Sequence, residues 1–203
     1  MNLIDLNDGV DKHKLINFCK DASTDNKMPA SENMDVIDWE QKPNTLFHAM
    51  FTQKRFNREN RAGYLIIEEN DQYIGGSGFY PLENDPNICL VSVRTYVIKT
   101  KRSRSLNGVH ILPRQIELAK EMNYKSLILT FNKYNLWLMN LIERGGGANN
   151  NFLGLHVPET YKGWKPLDWT INIQYTKQWC LYKHLDNSYD STFKKTMSNI
   201  RVD

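Results

Sequence analysis

Four cations, Lys99, Lys101, Arg102 and Arg104, fall within six residues, just after a long β-branched run and just before a helical pattern. A helix start offers unpaired N–H groups and the positive end of the helix dipole. Basic side chains on the same loop add charge-assisted hydrogen bonds, so strand, loop and helix in this order suit a phosphate or pyrophosphate. A charge cluster taken alone is more often a solvated loop; the order of the elements is what favours the anion. Acid–base candidates are scattered. Glu68, Glu69 and Glu83 lie near turns, His110 follows the basic loop, and Tyr134 stands where a later strand hands over to a helix. Cys19, Cys89 and Cys180 have apolar neighbours and read as packing thiols. A catalytic thiol served by His48, His110, His156 or His184 is the alternative. There is no Cys-x-x-Cys pair, the histidines complete no zinc spacing, and no metal site is expected.

The elements that must position these groups follow from periodicity. Apolar Leu15, Ile16 and Cys19 predict an amphipathic helix over residues 11–23. Ser31 can cap a short helix through Met34, Val36, Ile37 and Trp39, and a further helix is predicted over residues 45–60, its charged end a solvated last turn. Residues 64–67 and 73–80 predict a β-hairpin about Glu69-Asn70-Asp71. Its Gly75-Gly76-Ser77-Gly78 is glycine-rich enough for a phosphate loop, yet no Lys-Ser/Thr and no helix follow. Glycines that relieve crowding in a strand are the better reading. A long strand over residues 88–98 precedes the basic loop. Then come a helix from about residue 111 to 122, a strand over 126–131 and a helix from about 135 to 144 stopped by Gly145-Gly146-Gly147. A short strand near residues 152–156, one strand over 170–183 and a polar, fraying tail from Asp186 complete the chain. Strand, helix and strand in succession imply a parallel pair with a right-handed crossover, and the hairpin before it implies antiparallel neighbours. The expectation is one α/β domain over residues 1–203, built on a single mixed, mostly antiparallel twisted sheet flanked by helices, with a central parallel strand pair.

Composition bounds the class. The chain has 203 residues, 40% hydrophobic and 24% charged, with a formal charge of +3, which argues against wholesale disorder. No apolar run reaches the roughly 18 residues of a membrane span. The first residues mix apolar with acidic or amide groups and lack the basic start of a secretory signal, which reads as a soluble protein, and three separate cysteines read as reduced thiols in the cytoplasm. The net charge is too small for a nucleic-acid footprint.

Over residues 95–146 the chain resembles the GNAT superfamily of acyl-CoA-dependent N-acyltransferases, and the likeness extends through most of its length. Val97 and Arg102 look like that family's strand end and the leading Arg of its pyrophosphate loop, Arg/Gln-x-x-Gly-x-Gly/Ala, with Gly108 on the second glycine. Asn135 looks like its helix-opening Asn, and Glu143-Arg144-Gly145-Gly146 is similar to its closing motif. The chain departs from the pattern in three places. Ser105 or Leu106 stands for the first loop glycine, Ile142 stands where many members carry an acid tyrosine, and Pro113 lies five residues after Gly108. A helix begun at Gly108 would be kinked by that proline; a helix begun at Pro113 would move the anion site to residues 109–112.

The resemblance implies a GNAT-like fold and direct attack of a primary amine on acetyl-CoA or another acyl-CoA, without metal. It implies coenzyme contacts at Tyr96, Val97, Arg102, Ser103, Arg104, Ser105, Leu106, Asn107, Gly108 and Asn135. A strand edge near Tyr96 and Val97 would hold the pantetheine arm and offer a backbone donor to the oxyanion. Tyr134 is the proton-carrier candidate, and Arg94 and Tyr80 are the acceptor-side candidates. The acceptor is an amine on a small molecule or a protein, a homo-oligomer is compatible with the chain, and neither membrane nor nucleic acid is expected as a partner. The second reading is a catalytically degenerate GNAT-fold binding module, and the third is single-stranded nucleic-acid binding through basic loops and aromatics.

Overall fold

A computed structural model describes residues 1–24, 46, 48–52, 54–104, 106–131, 151–152, 155–156, 163–173 and 176–202. The chain divides into two compact units, each drawn from two stretches: Met1–Tyr80 with Ser92–Ile111, and Pro81–Val91 with Leu112–Asp203. The divisions fall at residues 80/81, 91/92 and 111/112, where the sequence carries no linker.

The first unit begins with an unanticipated strand, β1 (Asn2–Asp5), paired antiparallel with β2 (Gly63–Glu69). Between them lies α1 (Lys12–Thr24). Asp11 caps it, its carboxylate accepting from the amides of His13 and Lys14 at 2.9 and 3.0 Å. Its buried face is Leu15, Phe18, Cys19 and Ala22; of the apolar positions read from the sequence, Leu15 and Cys19 lie on it and Ile16 is half-buried. The predicted helix over residues 45–60 is interrupted. A π-turn covers His48–Thr52, Lys54 has φ +45°, and a separate 3₁₀ turn, Arg58–Asn60, is capped by Asn57. Arg58 is no solvated end, because its guanidinium pairs with Asp5 of β1. β2 continues into β3 (Gln72–Leu82) as the predicted hairpin, and β3 adjoins β4 (Asp85–Val97). The helices expected near residues 31–39 and 135–144 lie outside the described residues.

The second unit holds the parallel step. Ile88, Cys89, Leu90 and Val91 of β4 pair in parallel with Ser126, Leu127, Ile128 and Leu129 of β5 (Ser126–Phe131). Both stretches are continuously buried, as a parallel strand covered on both faces must be. α2 (Leu112–Glu121) precedes β5 and buries Leu112, Gln115, Leu118 and Ala119. The expected short strand near 152–156 is two paired dipeptides, β6 (Asn151–Phe152) and β7 (Leu155–His156), and β8 (Lys165–Pro166) follows. The single strand expected over 170–183 is instead an antiparallel hairpin, β9 (Thr170–Ile173) and β10 (Thr176–His184), with Thr176 opposite Ile173. Nothing in Gln174-Tyr175 signals a turn, so the run looked continuous. Order within the unit is β4-β5-β10-β9, then β11 (Arg201–Val202) on β9, with β8 on β10.

The polar tail is where structure departs furthest from the expectation. It forms α3 (Asp190–Asn199), which buries Phe193 and Met197 four residues apart. Asp85 fastens this end of the chain, accepting hydrogen bonds from the Tyr189 hydroxyl and, at 3.0 Å, from Thr196. The result is a mixed, mostly antiparallel sheet with one parallel pair and flanking helices.

Candidate active site

The site is built on the second half of β4 and the turns that follow it, all within the first unit. β4 is not a regular strand there: Ser92 and Arg94 both have positive φ, +57° and +50°. Such a backbone costs about 1–3 kcal/mol per non-glycine residue and persists only where neighbours hold it. Between the turn at residues 83–84 and the contact of Ser77 with Thr95, β4 runs through residues 85–95 while β3 covers only 77–82. β4 is thus bulged at Ser92 and Arg94.

Three side chains hold the bulge. The Tyr64 hydroxyl donates to the Arg94 carbonyl at 2.9 Å. Thr95 Oγ1 donates to the Ser92 carbonyl at 2.7 Å and also lies 2.7 Å from Ser77 Oγ. Because the one proton of Thr95 goes to a carbonyl, Ser77 is the donor in the second contact. Asn107 Nδ2 donates to Ser92 Oγ at 3.0 Å, while Asn107 Oδ1 is buried with no partner among the described residues.

Beyond the bulge β4 resumes. Ile98 N–H donates to the Ile74 carbonyl, and a 3₁₀ turn, Lys99–Arg104, leads to a π-turn, Asn107–Ile111, continuous with α2. The basic loop is thus helical, and the helix opens by Gly108 as the first of the two alternatives required. Pro113 does not end it. The wider π-turn precedes the residue that has no N–H and whose ring would meet the Val109 carbonyl of a tighter helix. Of the four loop cations, Lys101 pairs with Glu69 and Lys99 is exposed; Arg102, Ser103 and Arg104 contribute the turn's backbone.

The other candidates read from the sequence divide clearly once placed. Tyr96 is buried, its ring edge-on to Phe18 and its hydroxyl donating to Asp21 at 2.9 Å, so its side chain serves α1. Leu106 is buried and comes within 3.8 Å of where a Cβ on Gly75 would lie, as Val97 does at 3.5 Å. Tyr80 lies under the Arg55 guanidinium, 5.4 Å from its ring centroid, and burial pushes its phenol upward. Burial likewise lowers the Arg94 guanidinium. Glu68 pairs with Lys14 at 2.8 Å, as Glu69 does with Lys101, and Glu83 is exposed in the turn. Tyr134, Asn135 and Ser105 lie outside the described residues.

The thiols read as packing groups are buried: Cys19 Sγ lies 3.7 Å from Met50 Sδ, and burial pushes the Cys19 and Cys180 thiols far upward. His184 approaches no thiol in this way. Its Nδ1 is 2.7 Å from Ser126 Oγ and its Nε2 3.0 Å from Asp190 Oδ1. Among the described residues no group of three or more His, Cys, Asp or Glu is arranged to hold a metal, and no helix is long and apolar enough to cross a membrane.

Tyr64, Ser77, Ser92 and Thr95 are tied together around this bulge, and the sequence does not announce them. The signal for Tyr64 is the glycine run on the partner strand. A Cβ on Gly76 would stand 2.5 Å from Tyr64 Cε1, and one on Gly78 2.2 Å from Phe56 Cε1. These glycines seat rings, in keeping with relief of crowding in a strand.

A parallel strand pair whose first strand passes through a bulge and a basic turn into a helix, set in a mostly antiparallel sheet, is the fold of the GNAT acetyltransferases, and this chain has it. In particular, it is similar to the ribosomal-protein-alanine N-acetyltransferase of Brucella melitensis, at 16% identity over 91% of this chain and 100% of that one, with a TM-score of 0.58. It is also similar to a GNAT-family acetyltransferase of Staphylococcus aureus, at 14% identity, 91% and 99% coverage and a TM-score of 0.52. A third likeness is to the PaiA N-acetyltransferase of Thermoplasma acidophilum solved with coenzyme A, at 11% identity, 91% and 99% coverage and a TM-score of 0.53. No family model and no curated protein sequence matches the chain.

Proposed function

We propose that the protein is a cytoplasmic N-acyltransferase that moves an acetyl or other acyl group from acyl-CoA to a primary amine of a small molecule or protein. The observation that carries this reading is the bulged β4 leading through the basic 3₁₀ turn into the Asn107–Ile111 turn and α2, in a fold shared with acetyltransferases. The pyrophosphate would lie against the turn of residues 99–108, met by Arg102 and Arg104 and by amides near Gly108. The pantetheine arm would follow the β4 backbone toward Tyr96 and Val97. The amine lone pair attacks the thioester carbonyl carbon, and a tetrahedral oxyanion forms. The C–S bond then breaks, the thiolate takes up a proton, and the ammonium gives one up to a base or to water. A backbone N–H aimed at the oxyanion is the type of contribution worth about 3–4 kcal/mol. Glu68 and Glu69 are held by lysines, and Tyr134 is the proposed proton carrier, directly or through water. Arg94 and Tyr80 would face the acceptor.

Calorimetric titration with acetyl-CoA tests this. Wild type binds, and Arg102→Ala and Arg104→Ala each weaken binding by about 1–3 kcal/mol, the value of a charge-assisted hydrogen bond. No binding by wild type overturns the reading, and unchanged binding by both variants overturns the pyrophosphate assignment. Ile142 in the place of the family's acid tyrosine favours a second reading, a binding module without turnover. Turnover on a panel of amines excludes it.

A further inference from the structure

Tyr64 is fully buried on β2, far in sequence from the coenzyme loop, and its hydroxyl reaches one backbone atom, the Arg94 carbonyl, at 2.9 Å. The ring has little freedom. Gly76 leaves it room on one side, where a Cβ would come within 2.5 Å, and Phe56 packs on it with centroids 5.0 Å apart. Burial holds the phenol well above its ordinary range, so it remains a donor.

A trans peptide is planar, with its C=O and N–H pointing in opposite directions. Fixing the direction of the Arg94 carbonyl therefore fixes the direction of the Thr95 N–H, which points away from Tyr64. The second strut acts alike: Thr95 Oγ1 holds the Ser92 carbonyl and so turns the Val93 N–H to the opposite side. Both residues ahead of these N–H groups, Ser92 and Arg94, sit at positive φ, where an unheld backbone would relax.

We propose that Tyr64 is a positioning residue for acyl transfer, its hydroxyl setting the plane of the Arg94–Thr95 peptide so that the Thr95 N–H meets the acyl carbonyl. This rests on the acyltransferase reading above. Tyr64 touches neither coenzyme nor acceptor; it acts through the peptide it holds. Removing the hydroxyl leaves the coenzyme turn and the packed ring in place and frees the peptide to rotate. The loss then falls on the step in which charge builds on the carbonyl oxygen, and not on coenzyme binding.

The test follows the Thr95 amide by NMR in ¹⁵N-labelled protein titrated with acetyl-CoA and with CoA, which has no acyl carbonyl. In wild type the Thr95 resonance shifts with acetyl-CoA beyond any change that CoA causes. In Tyr64→Phe, acetyl-CoA binds within about threefold of wild type, the acetyl-specific shift is lost, and kcat falls about tenfold or more at unchanged KM. Thermal unfolding of each variant is recorded alongside. If Tyr64→Phe does not fold, Thr95→Val, which removes the second strut, takes its place, and Thr95→Ser restores the behaviour. An acetyl-specific shift and a kcat equal to those of wild type in a folded variant overturn the positioning role. Failure of wild type to bind either ligand overturns the acyltransferase reading itself, and the proposal with it.

Discussion

A Cβ on Gly78 would lie 2.2 Å from Phe56 Cε1, whereas one on Gly75 would come no nearer than 3.5 Å to any neighbour. Two glycines three residues apart in β3 therefore behave differently. Gly78→Ala must push a ring that is 3% exposed, and such overpacking costs about 1–3 kcal/mol, read as a lower urea midpoint. Gly75→Ala makes only ordinary van der Waals contact and leaves the midpoint within about 0.5 kcal/mol of wild type. A drop for Gly75→Ala as large as for Gly78→Ala would refute the seat assigned to Phe56. At this scale the sequence is legible in part. Glycines within an aromatic strand announce that rings are near, but which ring lies on which glycine depends on the register of β2 on β3, including the shift between Ile67 and Glu68. The same limit hides Tyr64: a tyrosine in a buried strand says nothing of the carbonyl its hydroxyl will find thirty residues on.

The element least visible in the sequence is α3. Asp186-Asn187-Ser188 reads as a polar tail because Phe193, Met197 and Ile200 are sparse among charged residues. Phe193 and Met197 seat the helix, and the side-chain bonds at its start add a pH signature. The Lys194 ammonium, and then His184, keep the Asp190 carboxyl below its ordinary range. A depressed folded pKa gives stability that is present above the unfolded value and lost as pH falls through the folded one. Tyr189 is the reverse case: desolvation and its bond to Asp85 push the phenol up to about 12, so its contribution is full below the unfolded value and lost as pH rises toward 12. Urea midpoints should thus fall on the acid side below about pH 4 and on the alkaline side above about pH 10. Asp190→Asn flattens the acid limb and Tyr189→Phe the alkaline one. Limbs unchanged by these variants would refute the assigned attachments. The hairpin of β9 and β10 is hidden for a different reason: the sequence between the two strands, Gln174-Tyr175, holds no glycine, proline or asparagine, and only the strand pairing divides the run.

At the scale of the whole molecule, a ligand that binds only the folded chain raises its stability by mass action, by about 2.7 kcal/mol at a hundred times its Kd. For a chain of 203 residues that is a rise in Tm of roughly 5–11 °C with acetyl-CoA. Desulfo-CoA should act alike and free acetate should not; an unmoved Tm under saturating acetyl-CoA would refute the donor assignment. Local pattern alone determined much of this molecule. α1, the β2–β3 hairpin, β4, α2, β5 and the parallel step between the two strands follow from apolar period and the placing of turn residues, which act over a few residues. Tertiary structure alone decided the rest. The bulge at Ser92 and Arg94, the capture of Glu69 by Lys101 and the hold of Tyr64 on a peptide plane each depend on groups brought together from distant parts of the chain. A strained backbone cannot be read from propensity, because it exists only where the surrounding fold compels it.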